Sequence, residues 1–470
     1  MKPTINSRGG FGVFSLCCYQ KQMGENSRTY YAMSSAPGRS ATSTIRISGD
    51  RSLDSLSKLT KINSKTFIHG KTFVCYIYNN FNILIDESVV VYYRSPNSYT
   101  GEDVVEIHTH GNPLVVRAVF DELDSFGLNI AEPGEFTRNA YLNNKIDLIQ
   151  AEAVFSLINA QSNRGVELSL TNTAGKLSTH IKTLRTSLIS ALSYLEYELD
   201  ISELDNHTKT IKTVSKEIKK NKKIVKKLIR SYSASKLLQE GIRIAIIGPP
   251  NVGKSTLFNA LLGHDRAIIS DRPGTTRDFI DGTIQIANYS IILVDTAGLR
   301  KTKKTIEKEG INKTKLEVES ADLIYQILDP TTKKTTEILS TSVPTITIYN
   351  KLDLLSKQQK RALIKTNKQA LLLSAKFGTG IDTLRQKTAN IIKSSTIQKE
   401  SIYLTTKRQH TILLKVLRAL KSASNTATQK ELDLISIHLK EAIEQFDWLV
   451  GKTTPDDVLN TIFSQFCVGK

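Results

Sequence analysis

Cysteine is scarce in this chain: Cys17, Cys18, Cys75 and Cys467 are the four among 470 residues. They show no metal-ligand spacing and make too few pairs for a disulfide framework, which favours a reducing compartment. Long apolar runs are also missing, none approaching the ~18 residues that a membrane span requires. Acid is in short supply, with 45 Asp and Glu against 64 Lys and Arg and a formal charge of +19. Such an excess suggests a polyanionic partner, nucleic acid above all. A lysine-rich proteome is the competing explanation, visible in the run KEIKKNKKIVKK from Lys216 to Lys227. Aromatic-stacking signatures and zinc knuckles, which would mark an RNA-reading module, are absent. Hydrophobic content of 40% and charged content of 23% are those of an ordinary soluble protein. The length has room for about three domains.

What the chain does carry is a phosphate loop. Ile242 to Ile247 reads as a short buried strand, Gly248 opens a glycine-bounded loop, and Gly253-Lys254-Ser255 closes it where a helix begins. This is Gly-x4-Gly-Lys-Ser with a strand before it and a helix after it. Backbone N–H groups through Asn251, Val252, Gly253 and Thr256 would wrap anionic phosphates, and the helix N-terminus adds partial positive charge. Lys254 is placed to reach the β- and γ-phosphates, and the Ser255 hydroxyl to ligate Mg2+.

Three further pieces follow in order. Ser290 to Val294 is a second apolar strand ending in Asp295-Thr296-Ala297-Gly298, which puts Asp295 near the Mg2+ shell and the Gly298 N–H near the γ-phosphate. Between the two strands lies Ser270-Asp271-Arg272-Pro273-Gly274-Thr275-Thr276, whose Thr276 would complete the metal shell. Asn350-Lys351-Leu352-Asp353 then supplies a carboxylate that accepts both N–H donors of a guanine edge, a pairing that adenine does not offer, while Lys351 covers the ring. Ser374-Ala375-Lys376 suits a backbone N–H contact to the guanine carbonyl, and a site built for such donors rejects the wrong base. Together these define a guanine-nucleotide-binding domain over about residues 241–396.

Around it the chain divides by pattern. Residues 1–27 read as an unstructured extension or an upstream-assigned start, with Met23 as the alternative beginning. Residues 28–144 are strand-rich: RTYYAMSS, TSTIRISG, KTFVCYIY and ILIDESVVVYY carry β-branched and aromatic residues between turn signals. Asp103 to His110 alternates, with Val105 and Ile107 on one face and Glu106, His108 and His110 on the other. A helix (LVVRAVFDELDSFG) and a turn at Pro133-Gly134-Glu135-Phe136 follow. No Cys or acidic cluster at ligand spacing joins the two histidines, so they are not read as metal ligands. Residues 145–240 are helical, with Leu148, Ala151, Val154 and Leu157 at three-residue spacing. Helical patterning resumes over 397–470, so one helical domain is split by the inserted nucleotide domain. A segment held at both ends in this way would pass nucleotide-driven movement to its host.

Small Ras-type switches place a glutamine after the second strand's glycine to orient the attacking water. Here Leu299 follows Gly298, and leucine cannot do so. Glu307, in KTIEKEGI, is the candidate replacement, and an ordinary surface helix charge is the plain alternative.

Taken together, the chain resembles the bacterial tRNA uridine-modification GTPase family MnmE, also called TrmE, over about residues 29–470. The marks are Ala36-Pro-Gly-Arg39, Ile45-Arg-Ile-Ser-Gly49, Ser95 to Glu106, Pro133 to Arg138, Leu142 to Asp147, Gln150-Ala-Glu-Ala153, the nucleotide motifs, and the closing Cys467-Val-Gly-Lys470. The resemblance implies a multidomain α/β and α+β architecture. A strand-rich, folate-binding N-terminal domain dimerises, and an α-helical domain is split by an inserted Ras-like P-loop domain. The family's folate positions fall on Arg46, Glu106, Lys145 and Lys470. A carboxylate suits the paired donors of a pterin edge, and Arg and Lys suit the anionic tail. In the family, potassium held by Asn251 and by the loop with Ser270, Arg272 and Thr275 stands in for an arginine finger. Glu307 matches the family's catalytic Glu, and Cys467 is a candidate functional thiol, with burial as a small apolar residue the competing reading.

The implied cofactors are GTP, Mg2+, K+ and 5,10-methylenetetrahydrofolate or 5-formyltetrahydrofolate. The implied assembly is a homodimer forming a heterotetramer with an FAD-binding partner of the MnmG/GidA type. It adds an aminomethyl-type (carboxymethylaminomethyl) group at C5 of the tRNA wobble uridine. A bacterial cytoplasm is expected rather than a mitochondrial matrix. A ribosome-assembly GTPase and a folate enzyme with a passive nucleotide domain are the alternatives; the single nucleotide domain counts against the first and the intact Lys254, Ser255, Asp295 and Asp353 against the second.

Overall fold

The computed structural model describes residues 28–201, 208–264, 281–287, 289–295, 321–332, 343–366, 371–396, 402–429 and 431–470. The expectations placed on residues 1–27, on Ser270 to Thr276, on Thr296 to Gly298 and on Glu307 lie outside these residues. The described chain forms two compact units, one of residues up to Asp147 together with Thr454–Lys470, the other Leu148–Thr453.

The first unit is built on a sheet of β1 (Tyr30–Met33), β2 (Thr42–Ser48), β3 (Thr72–Tyr78), β4 (Leu84–Tyr93), β5 (Val104–His110) and β6 (Asn129–Ile130). Their spatial order is β3-β4-β5-β2-β1-β6, antiparallel except for the parallel β1–β6 pair. The alternation of β2 and β5 explains the layers. Ile45, Ile47, Val105 and Ile107 point into the core, where helices α1 (Ser52–Thr60) and α2 (Pro113–Ser125) add Leu56, Leu59, Val119 and Leu123. Truncating one such side chain costs about 2–5 kcal/mol. The Asn112 side chain caps α2 by accepting the Leu114 N–H, and Pro113 fills a first-turn position that needs no donor.

The opposite face of the sheet carries Thr44, Arg46, Glu106 and His108. His108 is hydrogen-bonded to Thr44 and His110 to Asp86, so both rings are engaged. Pro133 to Phe136 is a turn only in part: Gly134 takes a left-handed conformation and helix α3 (Glu135–Leu142) starts at the next residue.

The second unit holds α4 (Leu148–Asn159), α5 (Asn163–Thr173), α6 (Lys176–Ile201) and α7 (Thr208–Glu240) before its sheet, and more helices after it. The sheet contains β7 (Ile242–Ile247), β8 (Asp281–Ile286), β9 (Tyr289–Asp295), β10 (Leu323–Leu328), β11 (Thr345–Tyr349) and β12 (Leu371–Leu372). Their order is β12-β11-β10-β7-β9-β8, parallel throughout except for β8 against β9. Helices α8 (Lys254–His264), α9 (Lys357–Thr366) and α10 (Ile381–Thr396) belong to this layer. Then α11 (Lys407–Gln429) and α12 (Leu432–Val450) return to α6 and α7.

These last four helices make a bundle in which α6 neighbours α7 and α12, and α11 neighbours α7 and α12. The sequence prepares it. Leu177, Ile181, Leu184, Leu188, Ala191 and Leu195 step by four and three along α6, and Val214, Ile218, Asn221, Val225 and Leu228 do the same along α7. Asn221 at such a position is buried, donating to the Ser187 hydroxyl at 3.0 Å and the Glu217 carbonyl at 2.9 Å.

In α4 the three-residue spacing identifies the helix and part of its buried face, since Leu148 and Ala151 are fully buried. Val154 and Leu157 are half-buried, whereas Glu152 is buried. Its carboxylate takes Arg408 Nε at 2.6 Å, Arg408 Nη2 at 3.0 Å and Gln409 Nε2 at 2.7 Å. Arg408 also donates to the Trp448 and Leu449 carbonyls, so one ion pair ties α4, α11 and α12 together.

The second helical part expected over 397–470 includes the helices Lys407–Gln429, Leu432–Val450 and Asp456–Phe463. Residues Thr454–Lys470 belong with the first unit. The physical reason is direct: a helix Asp456–Phe463 packs on α3, the Phe463 ring lies 6.3 Å from Tyr141, and the Gly134 N–H donates to the Cys467 carbonyl.

Candidate functional site

Strand β7 lies at the middle of its sheet, with Ile244 and Ile246 fully buried, and it delivers the chain into the loop from Gly248 to Gly253. Gly248 has φ +152 and a Cβ there would overlap the Ile327 carbonyl oxygen; Gly253 has φ +96 and a Cβ there would overlap the Asn350 amide nitrogen. Both positions therefore require glycine. Between them Asn251 is exposed with φ +62, a left-handed conformation that asparagine tolerates. Val252 is buried under the loop. Lys254, nearly buried, donates to the Gly248 carbonyl at 2.9 Å and the Pro249 carbonyl at 2.8 Å, which centres its ammonium on the loop. Ser255 and Thr256 follow on the exposed first turn of α8. At the end of β9, Asp295 pairs in register with Ile246 of β7 and so ends its strand beside the loop.

Asn350 joins the parts. Nearly all of it is buried; its Nδ2 donates to the Val252 carbonyl at 2.9 Å and its Oδ1 accepts the Ala375 N–H at 2.9 Å. Phosphate loop, Asn350–Asp353 segment and Ser374–Lys376 segment are thus held by one side chain. Asp353 is exposed, and the buried Ser374 hydroxyl donates to its Oδ1 at 2.6 Å. That hydrogen bond, with Lys376 and Lys360 helping, holds the Asp353 carboxyl below its usual range and keeps it ionised. Lys376 is exposed, its ammonium 5.4 Å from the Phe377 ring centre. Lys351 adopts φ +63 and its Nζ lies 2.6 Å from Asp329 Oδ2.

Asp329 escaped the sequence reading. Burial alone would raise its carboxyl, but hydrogen bonds from Lys351 and Thr331 outweigh burial and lower it. Its position directly after β10, in Asp329-Pro-Thr, was the available signal.

In the first unit, Arg46 and Glu106 face each other across β2 and β5. Arg46 Nε and Nη2 donate to Glu106 Oε1 at 2.9 and 2.6 Å, and both side chains are mostly covered. The guanidinium also lies over the rings of Tyr99 and Phe136, at 5.5 and 5.6 Å, contacts that the sequence did not announce. Lys470 joins this pair electrostatically. Partial burial and then the Arg46 charge lower its ammonium, while Cys467 and Glu106 pull the other way. Gly469, at φ +92, lets the tail pass close to the Met33 carbonyl, where a Cβ would collide. Lys145 is exposed and donates to the Pro96 carbonyl at 2.8 Å, at the other end of the loop that carries Tyr99. Cys467 is a free, exposed cysteine, which removes burial as the reason for it. Arg46, Glu106 and Lys470 therefore share one neighbourhood: both Arg46 bonds fall on one Glu106 oxygen, leaving Oε2 to accept from another donor, and Arg46 and Lys470 supply positive charge beside it.

A phosphate loop after the central strand of a mainly parallel sheet, with side chains from neighbouring strand ends closing on it, defines a P-loop nucleotide-binding protein. Comparison with known proteins narrows this. The family model described as MnmE helical domain matches residues 148–467, and that described as GTP-binding protein TrmE N-terminus matches residues 29–145. The tRNA modification GTPase MnmE of Fervidobacterium nodosum is 39% identical over 95% of this chain and 98% of its own. That of Aquifex aeolicus is 36% identical over 93% of this chain and 99% of its own. The FeoB G domain from Methanococcus jannaschii, a solved structure, is 27% identical over 32% of this chain and 98% of its own, with a TM-score of 0.25. The chain belongs to the MnmE family of tRNA modification GTPases. The ribosome-assembly alternative falls with that membership.

Proposed function

We propose that the protein hydrolyses GTP and takes part in modifying C5 of the tRNA wobble uridine. The observation that carries the nucleotide half is the Asn350 side chain, bonded at once to the phosphate loop and to the segment beside the base-selecting carboxylate. Lys254 neutralises phosphate charge from the centre of its loop, and Asp353, oriented by Ser374, accepts the guanine N–H donors. Mg2+ would be held by Ser255 and Thr276, and K+ by Asn251 with Ser270, Arg272 and Thr275. K+ supplies positive charge where phosphoryl oxygens become more negative. Glu307 is the group proposed to orient the attacking water. Two copies of the chain would meet across this site.

The folate-binding reading rests on Arg46, Glu106 and Lys470. Glu106 would present Oε2 to the pterin donors, and Lys470 with Lys145 would meet the glutamate tail. Bound 5,10-methylenetetrahydrofolate or 5-formyltetrahydrofolate would supply the one-carbon unit, with an FAD-binding partner of the MnmG type completing a heterotetramer in the cytoplasm. Cys467, exposed within electrostatic reach of Lys470, is the proposed functional thiol. Among the described residues no helix is long and apolar enough to cross a membrane.

The test is GTP hydrolysis in potassium against sodium buffer, with Glu307→Ala alongside. Strong stimulation by potassium that disappears in the variant is expected. Equal rates in both salts would sink the assignments of Asn251 and Glu307.

A further inference from the structure

Helix α7 sorts its residues by charge as strictly as by burial. Its core residues are Val214, Ile218, Asn221, Val225 and Leu228, and two positions before each stands an exposed lysine: Lys212, Lys216, Lys219, Lys223 and Lys226. Two residues turn a helix by about 200°, so these lysines face away from the bundle. Exposed Lys209 and Arg230 continue the same three-and-four stepping at either end. The ridge of seven cations runs for roughly 30 Å at 1.5 Å per residue. None of the seven forms an ion pair among the described residues. The acidic Glu217 is engaged with Ser187 and Lys220.

The charge is not spread over the bundle. Neighbouring α11 has no acidic residue and exposes Lys415, Arg418 and Lys421. Tyr232 stacks on His410, and Lys222 reaches Ser424 at 3.1 Å, so the two helices lie side by side and run antiparallel. Across the bundle, α12 with its capping residue exposes Glu431, Asp433, Glu441 and Glu444. A proteome rich in lysine would load every solvent face alike; here α12 exposes one lysine, Lys440, which is paired with Glu196, against those four acids, while α7 exposes its lysines unpaired along the ridge.

We infer that the α7 ridge, flanked by α11, docks the phosphate backbone of tRNA. The inference rests on the tRNA-modification reading above and adds to it a surface. Phosphate contacts from lysine position an RNA without reading its bases, and they gain their strength from counterion release. A straight line of cations on a rigid helix suits a backbone of regularly spaced charge. Among the exposed residues of α7 there is no large apolar side chain, which a helix lying in a lipid interface would need.

The experiment compares the full-length protein with K216Q/K219Q/K223Q/K226Q by fluorescence anisotropy of labelled tRNA over a range of salt. Glutamine keeps helix propensity, so melting and GTP hydrolysis should not change. The variant is expected to bind tRNA about tenfold or more weakly, with a slope of log affinity against log salt shallower by roughly three. The matching set of arginine substitutions should bind like the unmodified protein. Should the glutamine set lower the melting point, the pairs K212Q/K216Q and K223Q/K226Q are read in its place. Unchanged tRNA affinity and slope would overturn the inference and leave the modification reading standing. So would a loss that falls on the FAD-binding partner or on anionic vesicles while tRNA binding is kept. If the unmodified protein does not bind tRNA at all, the modification reading fails first and takes the ridge with it.

Discussion

The Asn350 amide nitrogen donates to the Val252 carbonyl at 2.9 Å, so the residue that opens the base-reading segment also holds the phosphate loop in place. The phosphate loop and the Ser374–Lys376 segment are mechanically one object as a result. Asn350→Ala would strand a buried carbonyl at Val252 and a buried N–H at Ala375, each costing about 1–3 kcal/mol. A lower melting temperature and weaker nucleotide binding should appear together. Melting in the presence and absence of GDP measures both.

The proposed selection of guanine by Asp353 needs a carboxylate that accepts two donors, and the Ser374 bond prepares it by fixing one oxygen and keeping the group ionised. In Asp353→Asn an amide donor replaces one acceptor. GTP affinity should fall roughly 100-fold, since bonds to charged groups contribute about 1.5–3 kcal/mol each. Xanthosine triphosphate, with a carbonyl where guanine has its amino group, should gain. Competition between the two nucleotides for the variant settles the point.

The Glu152–Arg408 pair has a predicted cost of removal. The Glu152 side chain is 6% exposed and three donor side chains within 3.3 Å converge on it. Glu152→Ala leaves a buried guanidinium unpaired and should cost about 3–5 kcal/mol. Replacing both partners with methionine should cost clearly less than Glu152→Ala alone. Denaturant unfolding of the two variants tests the order.

Lys470 gives a pH signature. Its ammonium is lowered by partial burial and then by Arg46. For a lysine this sign means that the charged form is disfavoured in the fold, a cost present below the lowered pKa and relieved as pH rises through it. An anionic ligand beside Lys470 should reverse the shift, so that binding of 5-formyltetrahydrofolate takes up protons at alkaline pH. Calorimetry in two buffers of different ionisation enthalpy reads that uptake, and Lys470→Met should abolish it.

How much of this was written in the sequence depends on range. The phosphate loop was legible because Gly248, Gly253 and Lys254 act within a few residues of one another, and the strand around Glu106 because alternation is local. Arg46 as the partner of Glu106 needed the register of β2 against β5, which no local pattern encodes. Asp329 was missed for the same reason: it meets Lys351 across the ends of two strands. Glu152 stands on a helix whose apolar spacing pointed to Val154 and Leu157 instead, and only the arrival of Arg408 from far along the chain reveals why a carboxylate is buried there. Amphipathic spacing around Leu459 and Phe463 shows a helix, but not to which unit it belongs.

That last element has a consequence for the order of events in the cell. The strands that carry Arg46 and Glu106 leave the ribosome early, yet Lys470 reaches them only after the whole of Leu148–Thr453 has been made. Until then Gly134 lacks its partner at Cys467, and the face of α3 that receives Phe463 stays uncovered. Removing Lys470 would thus leave the Gly248–Gly253 loop untouched and take a cation away from the Arg46–Glu106 pair hundreds of residues upstream.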